Sequence, residues 1–479
     1  MLKNRIFAVI VGVFITFVIL SGGGFFSLSA RLLLISIFSL VVLTLALWRL
    51  RWGLPNNVSF FALMVLFFGV GLMALQLVPL PPQIWSNFAG RQFLMKDFAI
   101  LGMDNQWAPL SLSPAATRQD IISLLPGLAA FFGTLSLSAR ELRIVVRSVV
   151  GIALVAALVG LAQRFEGVNG PFNFYHYENP IAASGFFANR NFLAAELYCA
   201  VPFVAALTIK VDSRSKLIRR LGYLVGLACI TFLIGALGAT GSRMGALLVV
   251  LSVIASIIMI LGAWRSNNRL RMRLSPLYII GMLVGSLVMA QLLLVALLRF
   301  TATDIATDYR GTIFDVSLTT FKAFFPIGSG FGSFVPVYQL FEQPSIMISS
   351  YVNHAHNDWL ELLIEGGLPM GIVLFGFLIW FFCAAILAWR PTNELFSRAG
   401  SIAALLLLIH SLVDYPLRTP GMMCLFGLFC GVMAFASSTR NPQTRGPKQQ
   451  RTAPSNPVEL PVDFRPNPRG FSQRGRPEQ

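Results

Sequence analysis

The chain has 479 residues, 56% of them hydrophobic and 12% charged, with a mean hydropathy of +0.72. The charges stand in short clusters between apolar runs, which excludes a string of soluble domains and predicts one polytopic membrane bundle. The 37 Lys and Arg outnumber the 20 Asp and Glu for a net charge of +17, but this excess punctuates loops instead of covering a compact basic domain. That distribution is explained by membrane topology and argues against a nucleic-acid partner.

Taken in chain order, the apolar runs predict about twelve helices: 6–22, 31–49, 57–79, 119–137, 144–163, 191–210, 221–241, 244–263, 276–298, 357–389, 398–415 and 419–437. The first run follows Met1-Leu-Lys-Asn-Arg and resembles a signal peptide. Gly22-Gly-Gly-Phe-Phe is a poor cleavage site, however, so the run is read as a retained helix. Cys199, Cys229, Cys383, Cys424 and Cys430 all fall in apolar runs without metal-ligand spacing and read as small core residues.

Placing the N-terminus in the cytoplasm puts Arg49/Arg51, Arg140/Arg143, Lys210 to Arg220, Arg265 to Arg273 and Arg390/Arg398 on that same side. Three longer stretches, 80–118, 164–190 and 299–356, then face the periplasm. Trp85 and Trp107 of the first are suited to an interfacial belt. In the third, a helical 309–323 and a Gly-rich turn at 328–332 predict a helical lid between the ninth and tenth spans. Domain organisation is thus a membrane domain over 1–437, followed by a Pro- and Arg-rich tail, 438–479, whose composition cannot bury a core.

Polar groups interrupt the apolar pattern most sharply in HAHNDWLELLIEGG, residues 354–367. His356 opens the tenth span, with Asn357, Glu361 and Glu365 at i, i+4 spacing behind it, and an imidazole so placed can act as a general base. His354-Ala-His356-Asn-Asp358 also resembles the start of a metallohydrolase motif. Trp359 stands where a further histidine is expected, and only four histidines exist in the chain, so no metal site is predicted. Arg243 in TGSRMG, Arg310 in DYRGTIFD and Arg190 in FFANRNF fall on the side that holds His356, against the charge bias. Converging guanidinium forks suit a phosphate-bearing substrate. The alternative is that each snorkels to lipid or pairs with Asp308, Glu178 or Asp315.

These pieces, GFFANRNFLAAEL, TGSRMG, YRGTIFDVSLTTFKAFFPIGSGFGSF and HAHNDWLELLIEGGLP, resemble the O-antigen ligase and O-antigen polymerase superfamily of bacterial inner-membrane glycosyltransferases. The resemblance implies metal-independent transfer of a glycan from undecaprenyl diphosphate to an acceptor hydroxyl at the periplasmic face, with no cofactor. It implies His356 as base, Arg243 and Arg310 as contacts of the donor diphosphate, and Arg190 and Asn357 as further substrate contacts. The family pattern ends in Gly-x-x-Gly. Here Gly367 fits, while Met370 stands at the second glycine and Gly371 follows, a departure expected to alter a helix contact and not the chemistry.

Within that superfamily the acceptor is a glycan in a polymerase, lipid A-core in a ligase, or a protein in an O-oligosaccharyltransferase. The reading from a different class is a non-enzymatic transporter. Its charges would lie near the bilayer midplane in inverted repeats, whereas the charges here sit near helix ends and no repeat is evident.

Overall fold

The computed structural model describes residues 2–22, 30–51, 57–167, 170–175, 182–209, 215–266, 305–347, 351–390 and 394–435. The expected span 276–298 and the expected tail 438–479 lie outside them. The described residues form an almost wholly helical bundle in which seven helices are long and apolar enough to cross a membrane, joined by three shorter apolar ones. The chain is a multi-pass membrane protein.

The first half comprises α1 (Leu2–Ser21), α2 (Ala30–Leu50), α3 (Asn57–Leu75), the short α4 (Pro82–Trp85) and α5 (Gln92–Ile100), α6 (Pro114–Ser123), α7 (Leu125–Leu135) and α8 (Ala139–Glu166). The second comprises α9 (Arg190–Ile209), α10 (Lys216–Thr240), α11 (Arg243–Ser266), α12 (Ile305–Phe324), α13 (Phe334–Gln339), α14 (Asp358–Ala388), α15 (Leu395–His410) and α16 (Pro420–Ala434). The expected single span 119–137 is two helices. Pro126 has no N–H to continue the ladder from α6, and the chain restarts as the mostly buried α7.

Helix α9 is the centre of the bundle: 83% of its apolar window is buried, against 17% for α3 and for α14. It packs against α8, α10, α11 and α15. Small residues set the closest approaches, as where Gly127 of α7 and Gly427 of α16 leave no room for a side chain between backbones. His410, inside an apolar run, is a buried core residue whose Nδ1 lies 2.9 Å from the Tyr198 hydroxyl.

Contacts at the helix ends divide the bundle into two poles. Arg49 covers the Phe7 ring and pairs with Glu141 at 3.2 Å, and Glu141 also closes a capping box with Ser138 at the start of α8. Arg398 donates to the Arg390 carbonyl and approaches Gly262 near the end of α11. Arg49, Arg390 and Arg398 therefore gather at one pole, and the HAHND segment stands at the other.

That second pole carries a cap built from two distant stretches. Residues 79–80 pair antiparallel with 108–109, and Trp85 sits inside against Phe98, donating to the Gln106 carbonyl. Trp85 is 3% exposed and Trp107 59%, so only Trp107 keeps the interfacial exposure expected of both. Residues 305–347 form α12, the glycine-rich turn and α13, with a small core around Ile313, Phe324, Phe334 and Ile364. The two stretches interlock: Leu112 donates to the Ser329 carbonyl at 2.9 Å and Thr117 to that of Phe331 at 2.6 Å. Arg91 donates to the carbonyls of Leu110 and Gly328, and burial lowers its guanidinium to about 10.

Candidate functional site

Three local features aim the HAHND segment. Asn357 caps α14, its Oδ1 accepting from the Leu360 N–H at 3.0 Å. One residue earlier His356 takes the left-handed backbone conformation, φ 49°, the one positive φ among the described non-glycine residues. A side chain held in that sparsely populated region is over-determined by its surroundings, a recurrent property of reacting positions. Behind it, α14 breaks at Gly367 (φ 58°), ahead of Pro369, and the glycine turn fills the break. Ser329 donates to the Ile364 carbonyl and Gly330 to that of Glu365, each at 2.9 Å, and Leu368 to that of Pro326 at 2.7 Å. Met370 packs on Gly366, so the departure from the glycine pattern is a helix contact.

The two histidines diverge to separate carboxylates. His354 Nδ1 lies 2.8 Å from Glu361 Oε1, whose other oxygen accepts from the Ala355 N–H at 2.8 Å. His356 Nδ1 faces Asp414 Oδ1 at 3.4 Å without hydrogen-bond geometry. Tyr415 stands against both rings, with centroid separations of 4.5 Å to His354 and 4.8 Å to His356. Among the described residues no three His, Cys, Asp or Glu side chains converge in a way that could hold a metal ion.

Asp414 organises the His356 side. It accepts from the Asn191 amide at 2.6 Å and from the Tyr415 N–H at 3.0 Å, and Arg310 Nη2 lies 3.6 Å from its Oδ2. Burial alone would raise this carboxyl, but the facing His356 and the Arg310 guanidinium hold it below the usual carboxylate range. Burial, reinforced by Asp414, pushes the Tyr415 phenol above its ordinary range. Asp414 is 1% exposed and Arg310 42%, so the guanidinium leans over a buried anion from an open position.

The remaining arginines border this place. Arg190 opens α9 immediately before Asn191. Gly245 of α11 abuts Ala194 of α9, which puts Arg243, the first residue of α11, at the same pole. The structure thus joins His356 and Arg310 through Asp414, sets Arg190 and Arg243 at the adjoining helix starts, and commits the Asn357 carbonyl to the cap. Among the described residues Asp414 is the acid that faces Arg310, while the side chains of Asp308 and Glu178, weighed as partners for the arginines, lie outside the described ones.

Sequence reasoning missed the second organiser, Arg418. In the 3₁₀ turn Pro416–Arg418 its guanidinium faces four carboxylates: Glu365 at 3.0 Å, Glu361 at 3.4 Å, Asp120 at 3.6 Å and Asp358 at 3.7 Å. Burial works against the charge, yet Glu361, Glu365, Asp120 and Asp358 together lift the Arg418 pKa far above its usual value. Asp358, Glu361 and Glu365 share one face of α14 by their spacing, so the helix presents three acids to one cation. The signal was available, since Arg418 lies between two apolar runs at the pole opposite the basic loops, as Arg243 does.

Residues 227–376 match the family model described as O-antigen ligase, a stretch running from α10 into α14 that contains Arg243, Arg310, His356 and Asn357. No curated protein matches the chain. This match over about a third of the chain supports the likeness of this multi-pass membrane protein to the O-antigen ligase and polymerase superfamily.

Proposed function

We propose that the protein transfers a glycan from a polyprenyl-diphosphate carrier, undecaprenyl diphosphate in a bacterial inner membrane, to an acceptor hydroxyl. His356 is the base and Arg310, with Arg243 and Arg190, meets the donor diphosphate. The observation that carries this reading is the shared carboxylate: His356 and Arg310 both face Asp414. With the proton on Nδ1, the nitrogen that faces Asp414, the His356 Nε2 lone pair is the one available to a substrate. It takes the acceptor proton as the acceptor oxygen bonds to the anomeric carbon. The bond from that carbon to the diphosphate oxygen breaks, and its electron pair leaves with the diphosphate. Asp414 balances the imidazolium so formed, and the open Arg310 fork meets the charge growing on the leaving group. No step requires a metal.

His354 and Glu361 make the shorter histidine–carboxylate contact and are the second reading of the base. The arginines decide for His356. All three nitrogens of Arg418, the guanidinium on the His354 side, already face carboxylates, whereas Arg310 meets one carboxylate and the Val413 carbonyl and is 42% exposed. By the charge bias the basic pole is cytoplasmic and the site periplasmic, which fits a carrier whose glycan is displayed outside. Ligase and polymerase share this machinery, and a protein acceptor is the further variant.

The test is transfer by full-length protein in lipid nanodiscs with a polyprenyl-diphosphate glycan. His356→Ala should keep folding and donor binding and lose roughly 10²–10⁴-fold in turnover. Near-normal turnover by folded His356→Ala, with loss in His354→Ala, would transfer the role to His354.

A further inference from the structure

A cavity of about 570 Å³ reaches His354 but not His356, Asp414 or Arg310. Its walls are apolar, formed by Val65 and Gly69 of α3, Phe131 of α7, Phe377 of α14 and Phe426 of α16. Its polar end is the Arg418 cluster with Asp120, Asp358, Glu361 and Glu365. Helices α3 and α14 have only 17% of their windows buried, so this chamber lies beside the lipid-facing side of the bundle. An apolar chamber so placed suits a hydrocarbon chain.

The polar end selects against phosphate. Arg418 Nε, Nη1 and Nη2 all face carboxylates, which leaves no fork for an anion, and four acids around one guanidinium repel one. Carboxylates are hydrogen-bond acceptors, and sugar hydroxyls supply donors. Asp358 Oδ1, on a side chain only 4% exposed, has no hydrogen-bond partner, and Asp358 lines the cavity. That oxygen faces Arg418 Nε at 3.7 Å, beyond hydrogen-bond reach, so a buried acceptor still open to a hydrogen bond calls for a donor from the occupant.

We infer that this cavity holds the acceptor: an amphiphile whose hydrocarbon chain lies along the apolar walls and whose uncharged, hydroxyl-bearing sugar head meets the carboxylates of the Arg418 cluster. The inference rests on the reading of His356 and Arg310 as the donor side. It divides the two substrates across the HAHND segment, with Tyr415 against both histidines at the boundary.

The probe is an alkyl maltoside carrying a diazirine on its chain, added below its micelle-forming concentration to full-length protein in nanodiscs, with the cross-links mapped. Label should fall on α3 and α14, and unlabelled alkyl maltoside should displace it at roughly tenfold lower concentration than dodecyl phosphate. Gly69→Leu fills the chamber where an added Cβ meets only Val373 Cγ1, at 3.6 Å. It should cut maltoside labelling at least roughly tenfold, while a photoreactive polyprenyl diphosphate still labels beside Arg310. Equal displacement by dodecyl phosphate, or labelling indifferent to Gly69→Leu, would overturn the acceptor assignment. Diphosphate label inside the cavity would overturn it as well. Diphosphate label absent from the Arg310 side would overturn the donor reading and with it the division of substrates, even where maltoside still fills the cavity.

Discussion

Arg418→Gln removes the cation that faces Asp120, Asp358, Glu361 and Glu365 while keeping a polar side chain of similar reach. At an effective dielectric of about 20, a unit pair at the 3.0 Å of Glu365 is worth roughly 5.5 kcal/mol, and one at the 3.7 Å of Asp358 roughly 4.5 kcal/mol. The gross attraction of four such contacts is about 20 kcal/mol, most of it offset by repulsion among the acids and by desolvation. Without Arg418 the cluster sheds charge by taking up protons. Holding one carboxyl protonated near pH 7, about three units above its ordinary value, costs roughly 4 kcal/mol. Proton uptake therefore limits the loss to about 3–5 kcal/mol, the usual cost of stripping one partner from a buried pair. Thermal unfolding followed by intrinsic fluorescence should show Tm lowered by roughly 5–10 °C. Because the folded variant binds extra protons, its stability should rise as pH falls, narrowing the gap to wild type near pH 5. Arg418→Lys should fall between, since one ammonium cannot face four acids at once. A glutamine variant within about 1 °C of wild type at both pH values would refute the idea that Arg418 holds these elements together.

Asp414→Asn keeps the shape beside His356 and removes its charge, so turnover should fall roughly 10²–10⁴-fold with little change in donor KM. Asp414 is held below the ordinary carboxylate range, so its stabilisation is complete above about pH 4 and is lost only as pH falls through its own lower value; the Tm difference between wild type and Asp414→Asn should stay constant from about pH 8 to 5. Arg310→Lys and Arg243→Lys should each raise donor KM roughly tenfold in the nanodisc assay, because an ammonium keeps the charge but loses the bidentate fork. Gly328→Ala demands φ +90° of an L side chain and puts Cβ 2.5 Å from the Glu365 carbonyl oxygen, so it should cost about 2–4 kcal/mol in thermal unfolding, whereas Gly311→Ala, with open space on α12, should be neutral.

The bundle was legible because membrane helices must satisfy their own backbone, so apolar length alone locates them. The grouping of basic residues at one pole followed from the same pattern. The break between α6 and α7 was less legible: Pro126 sits inside an unbroken apolar run, and only the packing of α7 shows that the chain restarts there. Trp85 failed for a related reason. An aromatic near an apolar run reads as an interfacial anchor, and only the pairing of 79–80 with 108–109 encloses it. The local face of α14 was readable from the spacing of Glu361 and Glu365, but their partner Arg418 lies more than fifty residues away and Asp120 more than two hundred. Spacing within a helix says which side chains share a face, not what faces them.

That limit separates the arginines. Arg243, Arg310 and Arg418 all stand at the pole opposite the basic loops, and the topology rule marks each as anomalous without assigning its work. Their partners make the assignment. A guanidinium whose three nitrogens all face buried carboxylates is held on every side, and its deletion leaves buried charge uncompensated. One that touches a single buried carboxylate from a largely open position keeps donors for a substrate, and the carboxylate it touches also faces the histidine that would accept the proton. On the proposed reading Arg418 is structural in its first effect and Arg310 chemical. Substitution should separate them by what is lost: stability before turnover for Arg418, and donor affinity with stability intact for Arg310.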